Sequence, residues 1–112
     1  MKLEIRDASE FLVVTVREQR IDAAVAIRFK DQIREVIGRG APHVVFDLSE
    51  VEFVDSSGLG AIVAAMKQMG STRRLDLAGL TPAVERVFRL TRMDTVFTIH
   101  TDVAQAEAVY AG

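Results

Sequence analysis

Two adjacent hydroxyls, in Asp55-Ser56-Ser57-Gly58-Leu59-Gly60, are the groups of this chain best suited to chemistry. They stand where an apolar strand pattern gives way to an apolar helix pattern. Val44-Val45-Phe46-Asp47-Leu48 is a short run of branched and aromatic residues that suits a buried strand. Leu59, Ile62, Val63, Met66 and Met69 then recur at helical spacing, so the period changes across the serines. Ser56 and Ser57 are thereby placed at a helix start, facing amides that have no partner within the helix. Ser and Asp are favoured there because their oxygens accept from the first free N–H groups, and the helix dipole tolerates negative charge. An accessible serine in that place can carry a phosphate. The plainer reading is that both serines only cap the helix. Gly58 and Gly60 allow close approach of chain to chain, within the domain or at a partner. Asp47 and Asp55 can be drawn as a carboxylate pair for acid–base work, but a strand end and a cap account for them more simply.

Other chemistries find weaker support. Gly58-Leu59-Gly60-Ala61-Ile62-Val63, with Asp76 downstream, imitates the fingerprint of a dinucleotide-binding enzyme. Val63 replaces the third small residue, several residues separate the strand end at Leu48 from Gly58, and the chain is too short for the usual two-half cofactor fold plus a substrate domain. A serine hydrolase would need a Gly-x-Ser-x-Gly elbow, which is absent, and neither His43 nor His100 has an evident partner. These two histidines lie far apart in sequence without ligand spacing, so no metal site is expected. Nothing resembles a phosphate-binding loop with Gly-Lys-Ser or Gly-Lys-Thr. The expectation is a protein with no catalytic residue and no cofactor of its own.

Composition narrows the field further. With 14 basic and 16 acidic residues the formal charge is -2, which gives no broad field to draw nucleic acid or an anionic membrane. The absence of cysteine excludes disulfides, thiolate metal sites and thiol catalysis. Met1-Lys2-Leu3-Glu4-Ile5-Arg6-Asp7 carries charges where a signal peptide needs its apolar segment, and no apolar stretch approaches the ~20 residues of a membrane-spanning helix. A cytoplasmic location is the default expectation. The length of 112 residues, 49% of them hydrophobic and 27% charged, suits one compact domain with a modest core.

The elements that must position the serines alternate in type. Leu3 to Arg6 and Phe11 to Val16 read as strands around the turn-prone Asp7-Ala8-Ser9-Glu10. Asp22 can cap a helix whose apolar residues Ala26, Phe29, Ile33, Val36 and Ile37 share one side, and Gly38, Gly40 and Pro42 end it. The strand from Val44 and the helix from Ser57 to about Met69 follow. Gly70 and Ser71 break the chain before a strand at Leu75-Asp76-Leu77-Ala78. Thr81 as cap, Pro82 in the first turn and Glu85 then open a helix that buries Val84, Val87 and Phe88. Val96 to Ile99 offers a last strand, and Asp102 caps a final helix carrying Val103, Ala106 and Tyr110. Lys67, Arg73 and Arg74, like Arg86, Arg89 and Arg92, read as solvated faces. The order ββαβαβαβα implies an α/β fold with a small, mixed, largely parallel sheet and flanking crossover helices.

Phe53-Val54-Asp55-Ser56-Ser57-Gly58-Leu59-Gly60 resembles the signature of the STAS domain, the family of sulphate transporter and anti-sigma factor antagonist domains. The resemblance is closest to the bacterial antagonists and covers nearly the whole chain as a single domain, 1–112. Asp22 falls where the family opens its first helix, Val45-Phe46-Asp47-Leu48-Ser49 resembles its central strand, and Gly79-Leu80-Thr81-Pro82-Ala83-Val84-Glu85-Arg86-Val87-Phe88 its late strand-to-helix passage. Two positions depart from the pattern: Gln19 stands where the family usually has Gly, and Arg20 where several antagonists have an acid. In antagonists of this type the serine directly after the signature Asp is phosphorylated by a partner that is both anti-sigma factor and serine kinase. Carried onto this chain, that serine is Ser56. The resemblance implies a partner-binding surface of Arg20, Asp22, Asp55, Ser57, Gly58, Leu59 and Gly60, a kinase that supplies ATP and magnesium, and a phosphatase that reverses the mark. The family also includes stress-signalling scaffold components and accessory subunits of lipid transport systems, which stand as the alternative.

A phosphate at Ser56 adds a charge of about -1.5 to -2. The helix terminus favours it by about 0.3–1 kcal/mol while Asp55 and Asp22 oppose it, so the isolated fold should survive. Against a partner surface shaped for a neutral hydroxyl, the same charge must lose water, and about 2.7 kcal/mol lost there weakens binding a hundredfold. The expected device is a charge gate at an interface, without a large conformational change.

Overall fold

A computed structural model describes residues 1–8 and 11–110. Strands β1 (Leu3–Asp7) and β2 (Leu12–Val16) pair antiparallel, with Leu3 opposite Val16 and Asp7 opposite Leu12. In the expected turn between them, Ser9 and Glu10 lie outside the described residues. From β2 onward the sheet is parallel: β4 (His43–Asp47) joins β2, β6 (Arg74–Ala78) joins β4, and β7 (Ile99–His100) joins β6. The strand order is β1-β2-β4-β6-β7. The intervening connections carry α1 (Ala23–Ile37), α2 (Ser56–Met69) and α3 (Pro82–Leu90), and α4 (Val103–Tyr110) ends the described chain. The mixed, mostly parallel α/β architecture is the one expected from the alternation of periods.

Alternation along the strands divides the side chains between two faces. Leu12, Val14, Val16, Val44, Phe46, Leu75 and Leu77 meet Phe29 and Ile33 of α1, Ile62 and Ala65 of α2, and Val84 and Phe88 of α3 in the main core. Phe29 and Phe46 touch edge to face with centroids 6.0 Å apart, as do Phe88 and Phe97. The opposite face is covered by α4, and there Phe11, Val13, Val45 and Ala78 pack around the fully buried Ala106.

Three expectations change. Two short strands, β3 (Arg20–Ile21) and β5 (Phe53–Val54), form a separate parallel pair just ahead of α1 and α2. The strand expected at Val96–Ile99 shrinks to Ile99–His100, because Arg92 adopts a left-handed conformation (φ 62°) and Met93–Thr95 form a 3-10 turn. That turn leaves Val96 exposed and sends Phe97 into the main core. Thr81 does sit at the start of α3, but its hydroxyl donates to the Val51 carbonyl (2.7 Å) instead of capping, and so ties the loop after β4 to α3.

The basic residues after α2 are also more committed than a solvated face requires. Arg73 donates to the carbonyls of Ile37 (2.9 Å), Gln68 (3.2 Å) and Met69 (3.3 Å), closing the C-termini of α1 and α2 together. Arg74 is held on Asp76 and Thr98, each at 2.8 Å.

Candidate functional site

The β3–β5 pair explains why the serines stand where they do. Its parallel register sets Arg20 beside Phe53 and Ile21 beside Val54, so two chain segments run side by side and each ends in an aspartate that opens a helix. Asp22 has extended backbone (φ -122°, ψ -173°), and its carboxylate accepts from the Ala24 amide (3.1 Å) and from Arg20 Nε (3.1 Å). The Arg20 hydrogen bond is the main influence that lowers the Asp22 pKa below the ordinary carboxylate value, against the opposing effect of desolvation. The same guanidinium lies 4.2 Å from the centroid of Phe53. Arg20 therefore presents a neutralised pair stacked on an aromatic ring.

Asp55 joins the two helix starts. One oxygen accepts from the Gly58 amide (2.9 Å) and so caps α2, while the other accepts from the Ala23 amide (3.2 Å) at the first residue of α1. The Asp55 amide in turn donates to the Ile21 carbonyl (3.3 Å). Gly58 is required by this closeness, since a β-carbon built on it would overlap the Ile21 carbonyl oxygen and side chain. A β-carbon at Gly60 would meet nothing within 4 Å, and this exposed residue lines an open hollow between α1 and α2. The close approach expected of both glycines within the domain thus holds for Gly58 alone.

Ser56 and Ser57 form the first two helical positions, so α2 starts one residue earlier than the period change suggests. Because Asp55 does the capping, the expectation that the serine hydroxyls fill that role is overturned. Both serines are exposed, and among the described residues neither hydroxyl makes a hydrogen bond within the chain. Leu59 turns inward and packs half-buried against the main core, and Gly58 is buried, whereas Arg20, Ser57 and Gly60 are exposed. Asp47 is engaged elsewhere, accepting from the Ser49 amide (3.0 Å) and from the Thr15 hydroxyl (3.4 Å). No acid–base pair with Asp55 is formed.

A second polar cluster, which sequence reasoning did not assemble, lies on the opposite face of the sheet. Asp76, 1% exposed, accepts from Arg74 Nε (2.8 Å), shares a hydrogen bond with His100 Nε2 (2.9 Å) and accepts from the Tyr110 hydroxyl (2.6 Å), with His43 Nε2 at 3.4 Å. Burial opposes the charge of this carboxylate, yet the hydrogen bonds from Tyr110, His100 and Arg74 hold its pKa below the usual value. Burial and the Asp76 carboxylate push the Tyr110 hydroxyl up to about 12. The His43 pKa is lowered, chiefly by burial. The signal lay in Leu75-Asp76-Leu77, where strict alternation sets one acid on the face opposite two core leucines. Apart from Arg74 on its own strand, its partners come from β4, β7 and α4, with His100 24 and Tyr110 34 residues away, and no local spacing announces them. The acid that a dinucleotide ribose would require is thereby consumed inside the fold.

A model of the STAS domain family matches residues 2–106. The anti-sigma-B factor antagonist of Listeria monocytogenes is 28% identical over 100 residues, covering 88% of this chain and 86% of its own. Among solved structures, an anti-sigma factor antagonist from Mycobacterium paratuberculosis has a TM-score of 0.89 at 27% identity, over 99% of this chain and 94% of the other. The Bacillus cell fate determinant SpoIIAA in its phosphorylated form shares the fold, with a TM-score of 0.69 at 19% identity over 96% of this chain and 99% of the other.

Proposed function

The chain belongs to the STAS domain family, and from that premise we propose that it is an anti-sigma factor antagonist whose binding is switched by phosphorylation of Ser56. In the unmodified state it binds an anti-sigma factor that is also a serine kinase, and the sigma factor is released. Phosphorylated, it lets go, and a phosphatase restores it. The ATP and magnesium belong to the kinase, and the exchange takes place in the cytoplasm. One observation carries this reading: the Ser56 hydroxyl stands in solvent at the N-terminus of α2 with the capping duty already discharged by Asp55.

That division of labour matters physically. A hydroxyl engaged as a cap would have to break its hydrogen bond to be modified, at a cost of about 0.5–2 kcal/mol to the helix. Ser56 is free of this constraint. Ser57 and Gly60 line the same hollow as Ser56; together with Arg20, Asp22 and Asp55 they form the rest of the proposed contact surface, with the buried Gly58 and the half-buried Leu59 beneath it. Arg20 is held by Asp22 and Phe53, so the loop presents little free charge to a partner. The contact then depends on shape around a neutral hydroxyl, which is the condition under which an added phosphate is most disruptive.

The test is incubation with the ATP-dependent anti-sigma kinase of the same organism and magnesium, followed by mass spectrometry of the peptide spanning Ser56. Phosphate is expected on Ser56 and is absent from a Ser56→Ala variant. An unmodified peptide would remove the switch. Ser56→Asp should melt at the same temperature as the parent chain and bind the kinase about a hundredfold more weakly.

A further inference from the structure

Helices α1 and α2 lie side by side with both starts at Asp55 and both ends at Arg73, and between them runs an open groove. It consists of two adjoining hollows that share Lys30 and Ala61: one begins at Ser56 and Ser57, and the other ends at Gln68. Along α2, the twelve residue steps from Ser56 to Gln68 span about 18 Å, which is slightly more than three helical turns. The floor is made of small side chains, Ala26, Ala61, Ala64 and Ala65, so a second helix can approach closely. Ile27, 73% exposed, stands at its edge.

The rim is basic in a chain whose net charge is -2. Lys30, Arg34 and Lys67 line the groove, no acidic residue does, and among the described residues none of the three forms an ion pair. The nearest acids on α1 are Asp31 and Glu35, neither of which lines the groove, and Glu35 is paired with Arg39 (2.9 Å). We propose that this groove seats an amphipathic helix of a protein partner, about three turns long, with a small apolar face and glutamate or aspartate along its flanks. Apolar contact with the floor and Ile27 supplies the grip, and Lys30, Arg34 and Lys67 set orientation and selectivity.

The seat also deepens the Ser56 switch, and that link rests on the proposed function. Lys30 lines the same hollow as Ser56 and Ser57. A phosphate at the head of the groove repels an acidic helix and competes with it for Lys30. The groove itself requires no phosphorylation.

The experiment titrates a synthetic fourteen-residue helix, with Leu and Ala on one face and Glu on both flanks, into isotopically labelled protein and follows backbone amide shifts. Shifts are expected at Ile27, Ala61, Ala64 and Gln68, and Arg34→Glu/Lys67→Glu should weaken binding at least tenfold. Arg34→Gln/Lys67→Gln serves the same purpose if the charge reversal does not fold. A Lys-flanked version of the peptide should leave these amides unmoved. No shifts there, or equal binding of both peptides, overturns the proposal. So does prior occlusion of these amides by self-association, or stronger protection by anionic phosphatidylserine vesicles than by the acidic peptide. Ser56→Asp separates the two ideas: loss of peptide affinity supports the link to the switch, whereas unchanged affinity with normal binding elsewhere leaves the groove and removes the link.

Discussion

At Gly58 the absence of a single methyl decides whether β3 and α2 can meet. Its would-be β-carbon overlaps backbone, which cannot swing aside as a flexible side chain can. Gly58→Ala should therefore destabilise the fold by about 1–3 kcal/mol. Gly60→Ala, two residues away with open space around it, should stabilise by up to about 1 kcal/mol through helix propensity alone. Urea denaturation of the two variants checks the contrast, and equal midpoints would contradict it. The identity of the segment as a helix start was legible from the change of period. Which residue caps was not legible, because Asp and Ser are nearly equivalent as caps and only the Asp55–Gly58 hydrogen bond distinguishes them. The bond from Asp55 to Ala23, across 32 residues, is likewise a product of the β3–β5 pairing and of nothing local.

Among the elements, α4 is the one whose attachment depends most on ionisation. It is short, and its inward residues Val103, Ala106 and Tyr110 meet the sheet around the Asp76 cluster. The His43 pKa is lowered in the folded state, so the stability it carries is complete above the unfolded value near 6.5 and is lost as pH falls through that value toward the folded one. Asp76, also lowered, adds a second loss below the ordinary carboxylate value of 3.8. Tyr110 acts at the other extreme, with stability complete below 10 and lost as pH rises toward about 12. Tyr110 is the sole tyrosine and the chain has no tryptophan, so its fluorescence reports directly on α4. The acid change that begins near pH 6.5 should disappear in His43→Gln, while an alkaline absorbance titration should give tyrosinate near pH 12, not 10. Asp76→Asn should return Tyr110 toward its ordinary value. Long periodic elements such as α1 and β4 were legible from their apolar spacing. The two-residue strands β3 and β5 carry no period to detect, and the apolar pair Val96-Phe97 looked like a strand because the left-handed turn at Arg92 leaves no unusual residue type to mark it.

For the whole molecule, the two faces of the sheet have different duties. One is sealed by three helices and holds the large core, while the other rests on α4 and a polar cluster with Asp76 at its centre. The exposed serines and the α1–α2 groove both belong to the sealed side, so a partner can dock there without disturbing the pH-sensitive attachment behind it. Charge placed on Ser56 should consequently leave the tyrosine signal of α4 unchanged, a comparison that Ser56→Asp makes directly. Neighbouring helices that point the same way repel through their aligned dipoles, and each needs a counter-charge at either tip. Here one carboxylate serves both leading tips and one guanidinium both trailing tips. Shared anchors couple fates: the opening turns of α1 and α2 should fray as a unit. In Asp55→Ala, the amides of Ala23 and Gly58 should lose hydrogen-exchange protection by the same factor, whereas independent loss would mean that the two helices breathe alone. Under the proposed phosphorylation of Ser56, an enzyme that prises up this turn would loosen the start of α1 as well, because both hang on the same carboxylate.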